Sequence, residues 1–204
     1  HPLQKPTAEE WILTPDLSGG YSMCELITSP LPYNEARIYL LKILNIIDKI
    51  GYTNERTGLH INISFTDPKV DIGKINAIKT VLQISEEKIY DAFPNRKDNI
   101  YCKSIKNIIP FKEYDFSDST TNILNNSLFL HSSVNKYYGI NFTTISKGRL
   151  EFRYIGGDNY QTKKDECLDL MDYFISTSYV CITEPLSEGE TKTLRRILDK
   201  KIAD

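Results

Sequence analysis

The stretch RTGLHINISF, residues 56–65, decides how the chain is read. After Gly58, the apolar Leu59, Ile61 and Ile63 alternate with His60, Asn62 and Ser64. A period of two belongs to a β-strand with one apolar and one polar face. The spacing predicts a strand over 58–66. Its polar face carries an imidazole and an amide two residues apart, so that face either looks into a site or faces water.

Working outward from this strand, periodicity sets the neighbouring elements. Ala36, Leu40, Ile43, Leu44, Ile47 and Ile50 recur at helical spacing after Asn34, a good N-cap, and Gly51 ends the run. A helix is expected over 34–50. Upstream, EEWILT (9–14) and SMCELIT (22–28) read as strands separated by the turn-forming PDLSGG. Downstream, Ile75, Ile78, Leu82, Ile89 and Tyr90 predict one helix over 72–92, stopped by Pro94. Residues 95–116 lack a clean period and are expected to be loop-rich, with a short helix near 117–130. KYYGINFTT (136–144) and RLEFRYI (149–155) read as two strands joined by SKG as a hairpin turn. Leu168, Met171, Phe174, Ile175 and Tyr179 predict a helix over 161–182, and a polar helix is expected over 187–203. This order is α+β, with helices packed on one face of a largely antiparallel sheet. It divides into one domain over 1–184 and a peripheral C-terminal helix over 185–204.

If the apolar faces pack on helices, the polar sets collect on the opposite face. That face would hold Glu25, His60, Asn62, Ser64, Asn141, Thr143, Arg149, Glu151 and Arg153. Carboxylates with an imidazole or amide suit a hard divalent cation that keeps positions for phosphate oxygens. Arginines pair bidentately with such oxygens. The competing reading is ordinary: antiparallel sheets often have one wet face, whose charges pair across strands. A lone His60 is commonly a hydrogen-bonded structural residue, and Arg96 by itself reads as a surface arginine.

Bulk composition narrows the class. With 204 residues, 40% of them hydrophobic and a formal net charge of −2, the chain can build a core and shows no general attraction to nucleic acid or anionic membrane. It has no apolar run long enough for a membrane span. Cys24, Cys102, Cys167 and Cys181 are scattered without a zinc-like spacing, and read as reduced thiols in a cytoplasmic protein. The chain starts at His1 rather than Met, which is read as a trimmed, processed or partial chain.

Several motifs, taken in order, carry a resemblance. WILTPDLSGGYSMCELITSPL, TGLHINIS, FPNRKDNIYC and YYGINFTTISKGRLEFRYIGG resemble successive blocks of the amidoligase family over about residues 11–182. These are carboxylate–amine ligases with a fold akin to glutamine synthetase and glutamate–cysteine ligase, common in phages and in peptide-modifying bacterial gene clusters. The resemblance implies a glutamine synthetase-like catalytic fold using ATP and Mg²⁺ to form an amide through an acyl phosphate. It implies Glu25, Glu151 and His60 as metal ligands, and Glu151, Arg153 and His60 as catalytic residues. Asn62, Asn141 and Arg96 would contact the nucleotide or substrate. Asn62 stands where the family often has a second His. The substrates would be a small molecule or peptide bearing a carboxylate and an amine. Two departures are visible. The family's opening Gly-x-Glu-x-Glu strand does not precede Trp11, where Glu9 and Glu10 are adjacent and point to opposite faces. Lys136 stands nearest to where an Arg is usual. These leave open a non-catalytic structural or binding module, for instance in a phage particle. A ring of identical subunits is open by analogy with glutamine synthetase.

Overall fold

The computed structural model describes residues 11–16, 23–108 and 137–202. Alternation in 58–66 does produce a strand, β3 (Gly58–Ile63). It pairs antiparallel with β5 (Leu150–Gly156), which pairs on its other side with the two-residue β4 (Ile140–Asn141). β5 is therefore the central strand, and every one of its residues is buried. The first two strands, β1 (Trp11–Pro15) and β2 (Cys24–Thr28), form a separate antiparallel pair. Among the described residues the expected single sheet is thus two small sheets, while the mixed α+β character stands.

Five α-helices are described. Helix α1 (Tyr33–Ile50) follows the predicted spacing and buries Leu40 and Leu44. It begins one residue ahead of Asn34, with Pro32 at the cap position and no side-chain cap bond. Glu35 in its first turn and Lys49 in its last oppose the partial charges of the helix ends. Helix α4 (Lys164–Thr183) buries Cys167, Leu168, Met171, Phe174, Ser178 and Cys181, a stripe at three- and four-residue steps. Phe174 stacks on Phe152 of β5, with ring centroids 4.3 Å apart and planes within 5°. Each such fully buried aromatic or aliphatic side chain contributes about 1.5–3 kcal/mol of transfer free energy. Burial of Ile61's partner Phe152 on this side confirms that the apolar face of the β3–β5 pair meets the helices.

The expected helix over 72–92 is three pieces: a short 3₁₀ turn at Ile72–Lys74, α2 (Ala77–Gln83) and α3 (Glu86–Ala92). The break has a tertiary cause. The Tyr173 hydroxyl of α4 accepts from Ser85 N–H at 3.1 Å and donates to Gln83 C=O at 2.5 Å, satisfying backbone groups that a continuous helix would pair internally. The restart lets Glu86 turn inward, where it is 3% exposed. Its carboxylate accepts from Tyr154 Oη at 2.9 Å, from Ile105 N–H at 2.9 Å, and from the Ser104 hydroxyl. A buried carboxylate persists only with such a set of donors.

The expected strand over 136–144 shrinks to Ile140–Asn141, and a 3₁₀ segment, Phe142–Lys147, takes over. Asn141 causes the switch. Its Oδ1 accepts from Thr143 N–H at 3.1 Å and from Thr143 Oγ1 at 2.6 Å, offering the backbone a local partner in place of the ladder. The connection to β5 is therefore not an SKG hairpin. It is this 3₁₀ segment, ended by Gly148 at φ 73°. The expected helix near 117–130 lies outside the described residues.

The C-terminal helix α5 (Glu188–Ile202) seats Leu194 in the core cluster and lies against α2. Lys79 of α2, 2% exposed, donates to the carbonyls of Glu184 at 3.4 Å and Pro185 at 2.9 Å, fixing the segment that leads into it. No helix among the described residues is long and apolar enough to cross a membrane.

Candidate functional site

Register creates the site. Asn62 of β3 and Asn141 of β4 both stand opposite Glu151 of β5, so the three side chains form one row across the sheet. Directly opposed residues in an antiparallel pair have Cβ atoms about 4.5–5.5 Å apart. Beside the row, His60 Nδ1 lies 3.9 Å from Glu151 Oε1, and Arg153 Nη1 donates to the same oxygen at 3.1 Å. Five of the expected site residues are thus brought together: His60, Asn62, Asn141, Glu151 and Arg153. Residues 59–62 alternate as the sequence requires, with His60 and Asn62 exposed on one side and Leu59 and Ile61 partly buried on the other.

The face is not an ordinary wet one. Glu151 is 9% and Arg153 8% exposed, although the β3 members of the group are open to solvent. Arg153 also lies over the Tyr137 ring, its guanidinium carbon 5.9 Å from the centroid, which in turn meets Tyr101 edge-on. The Nε of Arg153 is buried with no hydrogen-bond partner among the described residues. A buried guanidinium donor left so costs desolvation energy unless an acceptor reaches it. The Oδ1 of Asn141, by contrast, is committed to Thr143, so the amide's carbonyl end holds the loop rather than pointing to a ligand.

A register shift sits beside this group. Leu59 faces Ile155, but Ile61 faces Phe152, so Arg153 and Tyr154 together stand against His60. This is a β-bulge, in which one residue's backbone groups lose their ladder partners. The N–H of Arg153 donates to Gly139 C=O at 2.8 Å. Its C=O accepts from Nη2 of Arg96 at 2.6 Å. Tyr154, on the Phe174 side of β5 with Phe152, holds Glu86; burial, with Glu86 beside it, pushes its phenol well above the usual range, so it stays a donor.

Two expected members fall elsewhere. Glu25 is exposed on β2, opposite Thr14, in the sheet that docks on α1 through Trp11 and Tyr39, with ring centroids 6.2 Å apart. Placing Glu25 with His60 and Glu151 assumed one continuous sheet; β2 instead closes its ladder with β1. Among the described residues no group of three or more His, Cys, Asp and Glu side chains is placed to hold a metal ion. Arg96, read as an exposed arginine or a nucleotide contact, is 2% exposed and bonded to backbone. Two residues passed over in the sequence matter locally. Glu86, expected inside a continuous 72–92 helix, carried no signal of its own. Gly58, at the start of the strand, is the residue against which the Arg96 guanidinium packs.

No family model, curated protein or solved structure matches this chain.

Proposed function

We propose that the chain is an ATP- and Mg²⁺-dependent carboxylate–amine ligase of the amidoligase type, with a fold related to glutamine synthetase. The supporting observation is the row Asn62–Glu151–Asn141 flanked by His60 and Arg153 on three consecutive antiparallel strands. In the reaction a substrate carboxylate oxygen attacks the γ-phosphorus of ATP and ADP leaves. An amine then attacks the acyl carbon, and phosphate departs as the amide forms. Arg153 would pair with phosphate or carboxylate oxygens through its guanidinium. His60 and Glu151 would offer an imidazole nitrogen and a carboxylate oxygen to the cation, and Asn62 an amide oxygen. That set suits Mg²⁺ carried in by phosphates, because Mg²⁺ is usually bound by one or two carboxylates, substrate phosphates and water. The ion would offset charge on the phosphates when bound.

A second reading has its own observation. Glu25 lies in another sheet and the Asn141 carbonyl end is spent on Thr143, which leaves Glu151 as the carboxylate of the row. On that reading the chain is a binding or structural module, for example within a phage particle.

Thermal unfolding with and without Mg²⁺–ATP, beside Glu151→Gln, tests the first reading. A ligand at 100 times its Kd stabilises the folded state by about 2.7 kcal/mol, or roughly 5–10 °C for a chain of this size. The shift is expected in the wild type and absent in the variant. No shift in the wild type at saturating nucleotide overturns the ligase reading and leaves the module.

A further inference from the structure

We infer that Arg96 is a positioning residue: its guanidinium takes the place of the missing ladder partner at the β5 bulge and so aims Glu151 and Arg153 into the candidate site. The inference deepens the ligase reading and rests on it for its functional meaning; its structural content stands apart from it.

The bulge supplies the need. Because two β5 residues oppose His60 alone, β3 cannot pair every backbone group of the Arg153–Tyr154 step. Arg96 Nη2 donates to the Arg153 carbonyl at 2.6 Å, while Gly139 accepts from the Arg153 N–H at 2.8 Å. The peptide segment carrying Arg153 is therefore held from both sides. Glu151, two residues earlier on the same strand, is tied to Arg153 through Nη1 at 3.1 Å. Anything that loosens the Arg153 backbone moves both charged groups.

Two glycines line the space that the arginine occupies. Gly58 and Gly156 face each other across β3 and β5. A Cβ on Gly58 would lie 3.4 and 3.5 Å from Nη2 and Nη1 of Arg96, so the guanidinium fills the space above Gly58. By strand alternation this is the side on which His60 and Asn62 stand. A Cβ on Gly156 would lie 2.5 Å from Thr57 O and 3.2 Å from Arg96 Cδ, at a φ of 154°. The local sequence places the arginine here by a short 3₁₀ turn, Pro94–Arg96, at the end of α3. Burying an arginine to bond a carbonyl is costly, and its Nε has no partner among the described residues. A filler role would be met by an apolar side chain. A planar fork that reaches a bulge carbonyl meets the need of this one peptide group.

The test uses Arg96→Lys and Arg96→Gln in the full chain, with Gly58→Val as a variant that leaves Arg96 in place but presses on its guanidinium. The first readout needs no ligand: the Arg153 Nε–Hε signal and the Arg153 amide exchange rate by NMR. Positioning predicts a shifted Arg153 side-chain signal in all three and amide exchange about tenfold faster or more. The amides of α1 and of the β1–β2 pair should be unchanged. The second readout is Mg²⁺–ATP affinity well below the melting temperature, expected to fall about tenfold in Arg96→Lys despite its retained charge. Variants that melt earlier but keep wild-type Arg153 signals and affinity would reduce Arg96 to a structural filler and overturn the inference. Wild-type protein that binds no nucleotide, with Arg153 signals that still move, overturns the ligase reading and leaves the positioning role intact.

Discussion

Gly139 offers the sharpest check on how the site is built, because a single methyl group at that position has nowhere to go. A Cβ on Gly139 would lie 2.1, 2.3 and 2.8 Å from Cε1, Cζ and Cδ1 of Tyr154. Carbon atoms pack at about 3.5–4.0 Å, so in Gly139→Ala the ring or the backbone must retreat by roughly 1.5 Å. The ring has no slack. It is 0% exposed, lies with its centroid 5.9 Å from Phe174 and 6.2 Å from Tyr90, and its hydroxyl bonds Glu86 at 2.9 Å. Overpacking a tight core costs about 1–3 kcal/mol. Pulling the phenol from a buried carboxylate adds about 1.5–3 kcal/mol, the usual contribution of a hydrogen bond to a charged group. A loss of about 2.5–6 kcal/mol is expected, a large share of the ~5–15 kcal/mol that typically holds a domain folded. Urea unfolding measures it as a lowered midpoint at constant slope. The same substitution in a Tyr154→Leu background should cost far less, giving a coupling of about 2 kcal/mol or more in the double-mutant cycle. A loss below about 1 kcal/mol, or additive effects in the cycle, would refute the packing of Gly139 against Tyr154. The placement of β4 beside β5, and with it Asn141 in the row, would then be wrong.

Other outcomes follow from the same interior. Glu86→Ala should destabilise by about 3–5 kcal/mol, since it strands Tyr154 Oη and Ile105 N–H in the core and releases the part-buried Ser104 hydroxyl; chemical denaturation reads it. Thiol labelling of the native protein should be fast at the exposed Cys24 and slow at the buried Cys102, Cys167 and Cys181; fast labelling of all four would contradict the burial. Burial pushes the Cys102 and Cys181 thiols up to about 11 and the Cys167 thiol up to about 12. From their ordinary value near 9, the unfolded chain loses these protons first, so it holds fewer protons than the folded chain at higher pH. Stability contributed by the protonated thiols is complete below pH 9 and is lost as pH rises through 11–12. Urea midpoints measured from pH 8 to 11 should fall, and a flat profile would speak against three desolvated thiols.

Local elements that answer to one periodic face were open to reading from the residues. Alternation over 58–63 and 150–155 and the helical stripes of α1 and α4 report which side of each element is apolar, and burial against Phe174 follows that pattern. Where the reading failed, a partner from far along the chain intervened. Tyr173 split the 72–92 helix by taking its backbone groups, 88 and 90 residues away from Ser85 and Gln83. Alternation alone makes Asn141 a strand residue with its amide open, but it ends the strand by capping Thr143, a choice that short polar side chains leave balanced until packing decides.

The grouping of His60, Asn62, Asn141, Glu151 and Arg153 was legible because residues two apart on a strand share a face. Its register, its burial and its membership were settled in three dimensions. Periodicity assigns a side chain to a face but does not say which strand will close the hydrogen-bond ladder beside it. So Glu25 could be placed on a polar face, yet only the pairing of β2 with β1 put that face in another sheet. Arg96 looked like a surface cation because a buried guanidinium is costly unless a specific acceptor awaits it. That acceptor, the carbonyl of Arg153 at a bulge beside two facing glycines, comes into being only when β3 and β5 meet.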